Sequence, residues 1–183
     1  SARIHMSKPK LLITGAAGRV GTLLRPILLD DYELRLCDLA PIDNLREGEE
    51  ALIGDLADPV IANAAIQGTV GVVHLAAAVA PDIAFAATIN PNYFAVLNLL
   101  EACREFGVRR FIFASSHHAV GLHPISDEPY TVSADIAPDG FYGLSKAFGE
   151  AACSLYAHRF GIDCLVIRIG NADPQVVDGR RER

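Results

Sequence analysis

Apolar positions along the chain fall into short runs separated by amphipathic stretches, and this alternation sets the expected fold. Leu11-Leu12-Ile13 reads as a strand that leads into Thr14-Gly15-Ala16-Ala17-Gly18-Arg19-Val20-Gly21. Leu23, Leu24, Ile27 and Leu28 then recur at helical spacing, with Pro26 near enough to the helix start to be tolerated. Glu33 to Cys37 reads as a strand ending at Asp38, residues 41–50 as a polar loop, and Ala51 to Gly54 as a short strand. Asp58, with Pro59 behind it, caps a helix over residues 60–67. Gly71 to Ala77 is a buried strand running into small residues, and residues 78–89 carry no clear period. Asn92, Ala95, Val96, Leu99, Leu100 and Cys103 mark a helix closed by Gly107. Phe111 to Ala114 is a central strand ending at Ser115-Ser116-His117-His118. Residues 119–141 hold Gly and Pro and no regular element, a pocket wall. A helix beginning at Tyr142 runs to Phe160, and Cys164 to Gly170 is a further buried strand before a polar tail.

Strands that are apolar throughout, in repeated strand–helix rounds, require a parallel sheet covered by helices on both faces: an α/β, doubly wound, Rossmann-like fold. A ligand then lies at the carboxyl ends of the strands, where Gly15 to Gly21, Asp38, Asp55, Ala76 and Ser116 fall. The glycine turn offers backbone N–H groups and the positive end of a helix to a pyrophosphate, although a ligand-free strand-to-helix turn has the same composition. Asp38 lies 17 residues after Gly21, where a carboxylate meets adenosine ribose hydroxyls; the alternative is a plain turn aspartate. As a ribose contact it favours NAD over NADP, whose extra phosphate would face a like charge, and no arginine follows to offset it. His74, inside an apolar strand, reads as a packed, hydrogen-bonded histidine rather than a ligand or acid.

Composition narrows the class. With 183 residues, 51% of them hydrophobic, the chain is expected to form one soluble globular unit, and its net charge of −6 argues against a nucleic-acid surface. Cys37, Cys103, Cys153 and Cys164 form no CxxC pair and read as reduced, buried thiols of a cytoplasmic protein, with neither disulfide nor metal. No apolar run reaches membrane-spanning length. Ser1 to His5, ahead of Met6, read as an expression scar within a flexible start over residues 1–10. Residues 11–170 are expected to form the dinucleotide-binding unit, ahead of the polar tail.

The candidate chemistry is Ser116 with Tyr142 and Lys146. Tyr142 and Lys146 share a helix face at i and i+4. An ammonium one turn away lowers a phenol's pKa and can hold a nicotinamide ribose, so the phenol can move the proton that accompanies hydride transfer while a serine hydroxyl orients the substrate oxygen.

Thr14 to Gly21, Asp38, Asp55-Leu56, His74 to Ala77, Asn92, Phe113 to Ser116 and Tyr142 to Lys146 together resemble the extended branch of the short-chain dehydrogenase/reductase superfamily, which contains nucleotide-sugar epimerases, dehydratases and related dehydrogenases. Phe113 to Gly121 and Asp139 to Glu150 look most like the uronate dehydrogenases of that branch. The resemblance implies oxidation at C1 of a hexuronate to an aldarolactone with NAD, without a metal. It makes Ser116, Tyr142 and Lys146 catalytic. It implies dinucleotide contacts at Gly15, Ala17, Gly18, Arg19, Val20, Gly21, Asp38, Asp55, Leu56, Leu75, Ala76, Ala77, Asn92, Tyr142, Lys146 and Ile169. Substrate contacts fall on Ser115, Ser116, His117, His118, Asn171 and Arg180; His117 stands where the pattern has an amide and Asn171 where it has a serine, which opens the site to a different sugar acid. Arg180 suits a carboxylate, and equally a generic charged tail with Arg181 and Arg183. The resemblance also implies a homodimer through helices at 92–106 and 143–160, and that residues 171–183 are the beginning of a truncated substrate-binding segment. Two other functions use the same residues: a nucleotide-sugar epimerase or dehydratase, and a catalytically weak NAD-binding protein.

Overall fold

The computed structural model describes residues 8–80, 82–124 and 128–170. Its six strands are β1 (Lys10–Thr14), β2 (Glu33–Asp38), β3 (Glu49–Ile53), β4 (Gly71–His74), β5 (Arg110–Ser116) and β6 (Asp163–Ile169). They form one sheet in the order β3-β2-β1-β4-β5-β6 with every pairing parallel, which is the Rossmann-like doubly wound arrangement. Helix α1 (Arg19–Leu28) contributes Leu24 and Leu28 to one face of the sheet, against Leu11, Ile13, Leu34, Leu36 and Val73. The helices α2 (Pro59–Ile66), α4 (Ala95–Phe106) and α5 (Phe141–Phe160) pack on the other face, against Leu12, Val72, Phe111 and Phe113. The strand order reverses between β1 and β4, so the loops after these two strands diverge and leave a crevice above their carboxyl ends.

Several local expectations shift for identifiable reasons. The apolar stripe of α1 is narrower than its spacing suggests, because Leu23 and Ile27 are 43% and 64% exposed while Arg25 between them is buried. Arg25 donates from Nε and Nη2 to both oxygens of Glu49, at 3.0 and 2.7 Å, so charge pairing carries a polar residue into the interior. Pro26 falls in the last turn of α1, not its start. The missing N–H there costs one bond, to the Thr22 carbonyl, just before the helix ends. Strand β3 begins at Glu49, inside the stretch expected to be loop; Glu49 and Glu50 are held by Arg25 and by Arg35 and Lys10.

The stretch without a clear period contains the start of a helix. A short α3 (Phe85–Thr88) continues through a π-helical segment, Ile89–Phe94, into α4. The wider π turn breaks the 3.6-residue repeat, which hides the helix from a periodicity reading. Strand β4 stops at His74, three residues short of the expected run. The Thr14 hydroxyl of β1 accepts from the Leu75 and Ala76 N–H groups, both at 3.2 Å, and turns the chain out of the sheet. With both acceptor directions used, Thr14 Oγ1 donates its proton to His74 Nδ1 at 2.7 Å, so His74 is a neutral, packed ring. Burial and the nearby Lys146 cation push its pKa down to about 3. The cysteines are free thiols, three buried and Cys164 half-buried. Among the described residues no helix is long and apolar enough to cross a membrane, and no group of three or more His, Cys, Asp or Glu could hold a metal ion.

Candidate active site

The carboxyl ends of β1, β2, β4, β5 and β6 open into one cavity of about 750 Å3. Its floor is the glycine turn. Gly15 follows β1 with φ +66°, and a Cβ there would lie 2.7 Å from the Ala76 nitrogen, so only glycine lets the first turn approach the chain leaving β4. Ala17, Gly18, Arg19, Val20 and Gly21 carry the lining into the first turn of α1. Asp38, at the end of β2, accepts from the Ala17 N–H at 2.9 Å and from the Ala40 N–H at 3.1 Å, which ties the second strand to the glycine turn. Asp55 and Leu56 after β3, and Leu75, Ala76 and Ala77 after β4, complete this half of the cavity.

The other half is built by β5, α5 and the end of β6. Ser116 closes β5 and caps the 3-10 turn His117–Val120 by accepting from the His118 N–H at 3.2 Å. Tyr142 hydrogen-bonds Ser116. Burial pushes the phenol above its ordinary range, and the Ser116 bond opposes that rise. Lys146, 4% exposed, donates from Nζ to the Ala114 carbonyl at 2.7 Å and stands 5.5 Å from the Tyr142 ring centre and 5.1 Å from that of Phe113. Burial lowers its pKa to about 8. The expected lowering of the phenol by the ammonium is therefore not the dominant effect on this geometry; desolvation acts on both groups and is larger. Ile169 and Gly170 line the far side.

One expected contact falls elsewhere. Asn92 does not line the cavity: its amide accepts from the Ala78 N–H at 2.7 Å and donates to the Ala78 carbonyl and the Ser145 hydroxyl. It thereby fixes the chain after β4 against α5. Asn171 and Arg180 lie outside the described residues. The remaining proposed substrate contacts, Ser115 to His118, line the cavity together, but the Ser115 hydroxyl donates to Glu150 at 2.5 Å. Burial would raise Glu150, yet bidentate bonds from Arg168 together with Ser115 hold it below the ordinary carboxylate range. Residue-by-residue reading missed Leu39, Ala78, Val79, Pro91 and Ala95 in the lining, which follow strand ends, sit on the π-helical turn or, for Ala95, open α4. It also missed Asp139, bonded to His118 and present in the Asp139 to Glu150 segment without a role of its own.

This geometry recurs in known proteins. Residues 11–172 match the NAD dependent epimerase/dehydratase family. The chain belongs to that family. Among family members it is 40% identical to a uronate dehydrogenase of Pseudomonas putida over 91% of this chain and 62% of that one. A solved uronate dehydrogenase of Agrobacterium tumefaciens, complexed with NAD, superposes with a TM-score of 0.86 at 38% identity, covering 92% of this chain and 63% of that one. A UDP-glucose 4-epimerase of Thermus thermophilus, also with NAD, gives 0.80 at 27% identity, over 87% of this chain and 54% of that one. The chain thus spans less than two thirds of the length of these relatives.

Proposed function

We propose that the chain carries the NAD-binding and catalytic part of a dehydrogenase that oxidises C1 of a hexuronate to an aldarolactone. The observation that carries this reading is the meeting of Ser116, Tyr142 and Lys146 in the same cavity as the glycine turn, at the carboxyl edge of the sheet. The residues fit a dinucleotide. Gly15 keeps the floor free of side chains, the first turn of α1 directs N–H groups toward a pyrophosphate, and the Asp38 carboxylate stands ready for ribose hydroxyls while repelling a second phosphate. Likeness to the NAD-bound uronate dehydrogenase supports the same assignment.

When bound, the nicotinamide supplies the hydride acceptor. Tyr142 takes the proton of the C1 hydroxyl, with the Ser116 hydroxyl holding the oxygen between them. Lys146, in its protonated form, stabilises the developing phenolate through a medium made less polarisable by burial, so the same desolvation that lowers its pKa strengthens its field. His117 and His118 stand beside Ser116 to contact the sugar hydroxyls. The substrate is a small-molecule sugar acid, and Asn171 and Arg180 are assigned to it as well, on likeness alone.

The partner is a second copy of the chain. Along α5, Phe141, Leu144, Ala151 and Leu155 are exposed at helical spacing beside the half-buried Phe148, a stripe left open by the sheet. On α4, the other helix implied in the dimer, Ala95 and Leu99 pack into the core, so α5 carries the larger share of the interface. The test of the function is NADH formation from NAD over glucuronate, galacturonate, neutral hexoses and UDP-glucose. Turnover confined to uronates supports the reading; epimer change of UDP-glucose without net NADH overturns it.

A further inference from the structure

His118 and Asp139 make a unit that neither the strand pattern nor the catalytic residues require. His118 is the second residue of the 3-10 turn after β5, and its backbone is fixed on three sides. Its N–H donates to Ser116 Oγ, and its carbonyl accepts from the Asp139 N–H at 3.3 Å and the Gly121 N–H at 3.4 Å. The ring then lies 4.1 Å from that of His117 and edge-on to Tyr142 at 5.7 Å. Its Nδ1 is 2.7 Å from Asp139 Oδ2. Two glycines make room for this pairing: a Cβ at Gly121 would overlap the Asp139 carboxylate, and one at Gly143 would overlap the His118 carbonyl and come within 3.1 Å of Asp139 Oδ1. A carboxylate, a backbone anchor and two side-chain-free positions around one imidazole are more than a surface ion pair needs.

A carboxylate can only accept hydrogen bonds, so Nδ1 must carry the proton. In the neutral ring this leaves Nε2 as the remaining polar atom, with a lone pair and no proton. Because His118 lines the cavity beside Ser116 and Tyr142, the ring presents an acceptor to whatever sugar group lies there. We propose that Asp139 is a positioning residue that holds His118 in the Nδ1–H tautomer, so that Nε2 selects a substrate carrying a hydroxyl donor next to the reacting carbon and rejects one lacking it. The inference rests on the sugar-acid reading for the identity of the donor, and on geometry alone for the tautomer. A carboxylate behind an imidazole fixes both ring rotation and proton position, whereas a ring without it can turn and can place its proton on Nε2.

The experiment uses the full chain, uniformly labelled with 15N, at a pH where the His118 ring is neutral, with its signals assigned by their loss in His118→Gln. Two-bond 15N–1H correlations distinguish the protonated nitrogen. The expected result is Nδ1 protonated in the wild type, with protonation moving toward Nε2 in Asp139→Ala and largely retained in Asp139→Asn, whose amide oxygen still accepts. In steady-state kinetics, Asp139→Ala raises KM for the sugar acid about tenfold, the loss of one hydrogen bond, with kcat within about threefold. Asp139→Asn falls between it and the wild type, and the Kd for NAD is unchanged in both. Protonation of Nε2 in the wild type, or an Asp139→Ala chain with wild-type tautomer or wild-type KM, overturns the proposal. Absence of turnover with any sugar acid by the wild type refutes the functional reading instead, and the correlation spectrum still decides for or against Asp139 by the tautomer alone.

Discussion

Replacing Lys146 by methionine separates what the buried ammonium does for the reaction from what it costs the fold. Lys146 is 4% exposed, and burial brings its pKa from 10.5 to about 8. A difference of about 2.5 units corresponds to roughly 3 kcal/mol between the two protonation states. Below about pH 8 the residue is protonated in both the folded and unfolded chains, and the folded state carries the whole desolvation cost. Between about 8 and 10.5 the unfolded chain still holds a proton that the folded chain has released. Unfolding free energy therefore rises with pH across that window, and the destabilisation present at neutral pH disappears by its upper end.

Methionine is of similar length, carries no charge and lacks this titration. The unfolding free energy of Lys146→Met minus that of the wild type should fall by roughly 3 kcal/mol from neutral pH to about pH 10.5. The lost bond to the Ala114 carbonyl, worth about 1 kcal/mol, displaces the difference at every pH without removing its slope. All other titrating groups are common to the two proteins and cancel to first order. Urea unfolding followed by far-UV circular dichroism at closely spaced pH values, without NAD, measures the difference directly. A difference flat to within about 0.5 kcal/mol, or one that grows with pH, refutes the claim that Lys146 is a desolvated cation. NADH formation by the same variant should be lost at every pH.

Further outcomes follow from single contacts. Gly15→Ala places a Cβ 2.7 Å from the Ala76 nitrogen at a left-handed backbone position, so urea unfolding should show a loss of about 2 kcal/mol, and calorimetry an NAD Kd at least about tenfold higher. Asp38→Ala removes the charge that faces a second phosphate, and the ratio of NADP to NAD affinity should rise about tenfold in a fluorescence titration. Leu155→Glu puts a charge into the exposed stripe of α5; sedimentation velocity should show a shift from dimer to monomer with NAD affinity retained.

The parallel, doubly wound character of the sheet and the position of the crevice were legible in the chain because they depend on coarse features: apolar runs of strand length, glycines where a backbone approach forbids a Cβ, and acids at strand ends. The crevice gathers Gly15, Asp38, Ser116, Tyr142 and Lys146 by topology alone, so residues far apart in sequence could be assigned to one place before any distance was known. What escaped the reading depends on pair interactions across the chain. Arg25 is buried because Glu49 lies opposite it, 24 residues on, and no local pattern records that. The π-helical turn at Ile89–Phe94 destroys the very periodicity by which a helix is recognised, and it turns Asn92 onto Ala78 and Ser145 rather than into the cavity. Glu150 and Asp139 were visible as residue types, but their roles come from what they touch, the Ser115 hydroxyl and the His118 ring. The phenol's raised pKa has the same origin: sequence spacing shows an ammonium one turn away, whereas burial, which dominates, is a property of the folded packing.

The central claim is that Tyr142 moves the proton in a cavity that binds NAD independently of it. Tyr142→Phe keeps the ring that packs edge-on against His118 and removes only the hydroxyl bonded to Ser116. Measured side by side on the full chain, its Kd for NAD should stay within about twofold of the wild type while NADH formation from a hexuronate falls by at least about a hundredfold. Turnover within a few-fold of the wild type, or an NAD affinity that falls as far as the turnover does, contradicts the account.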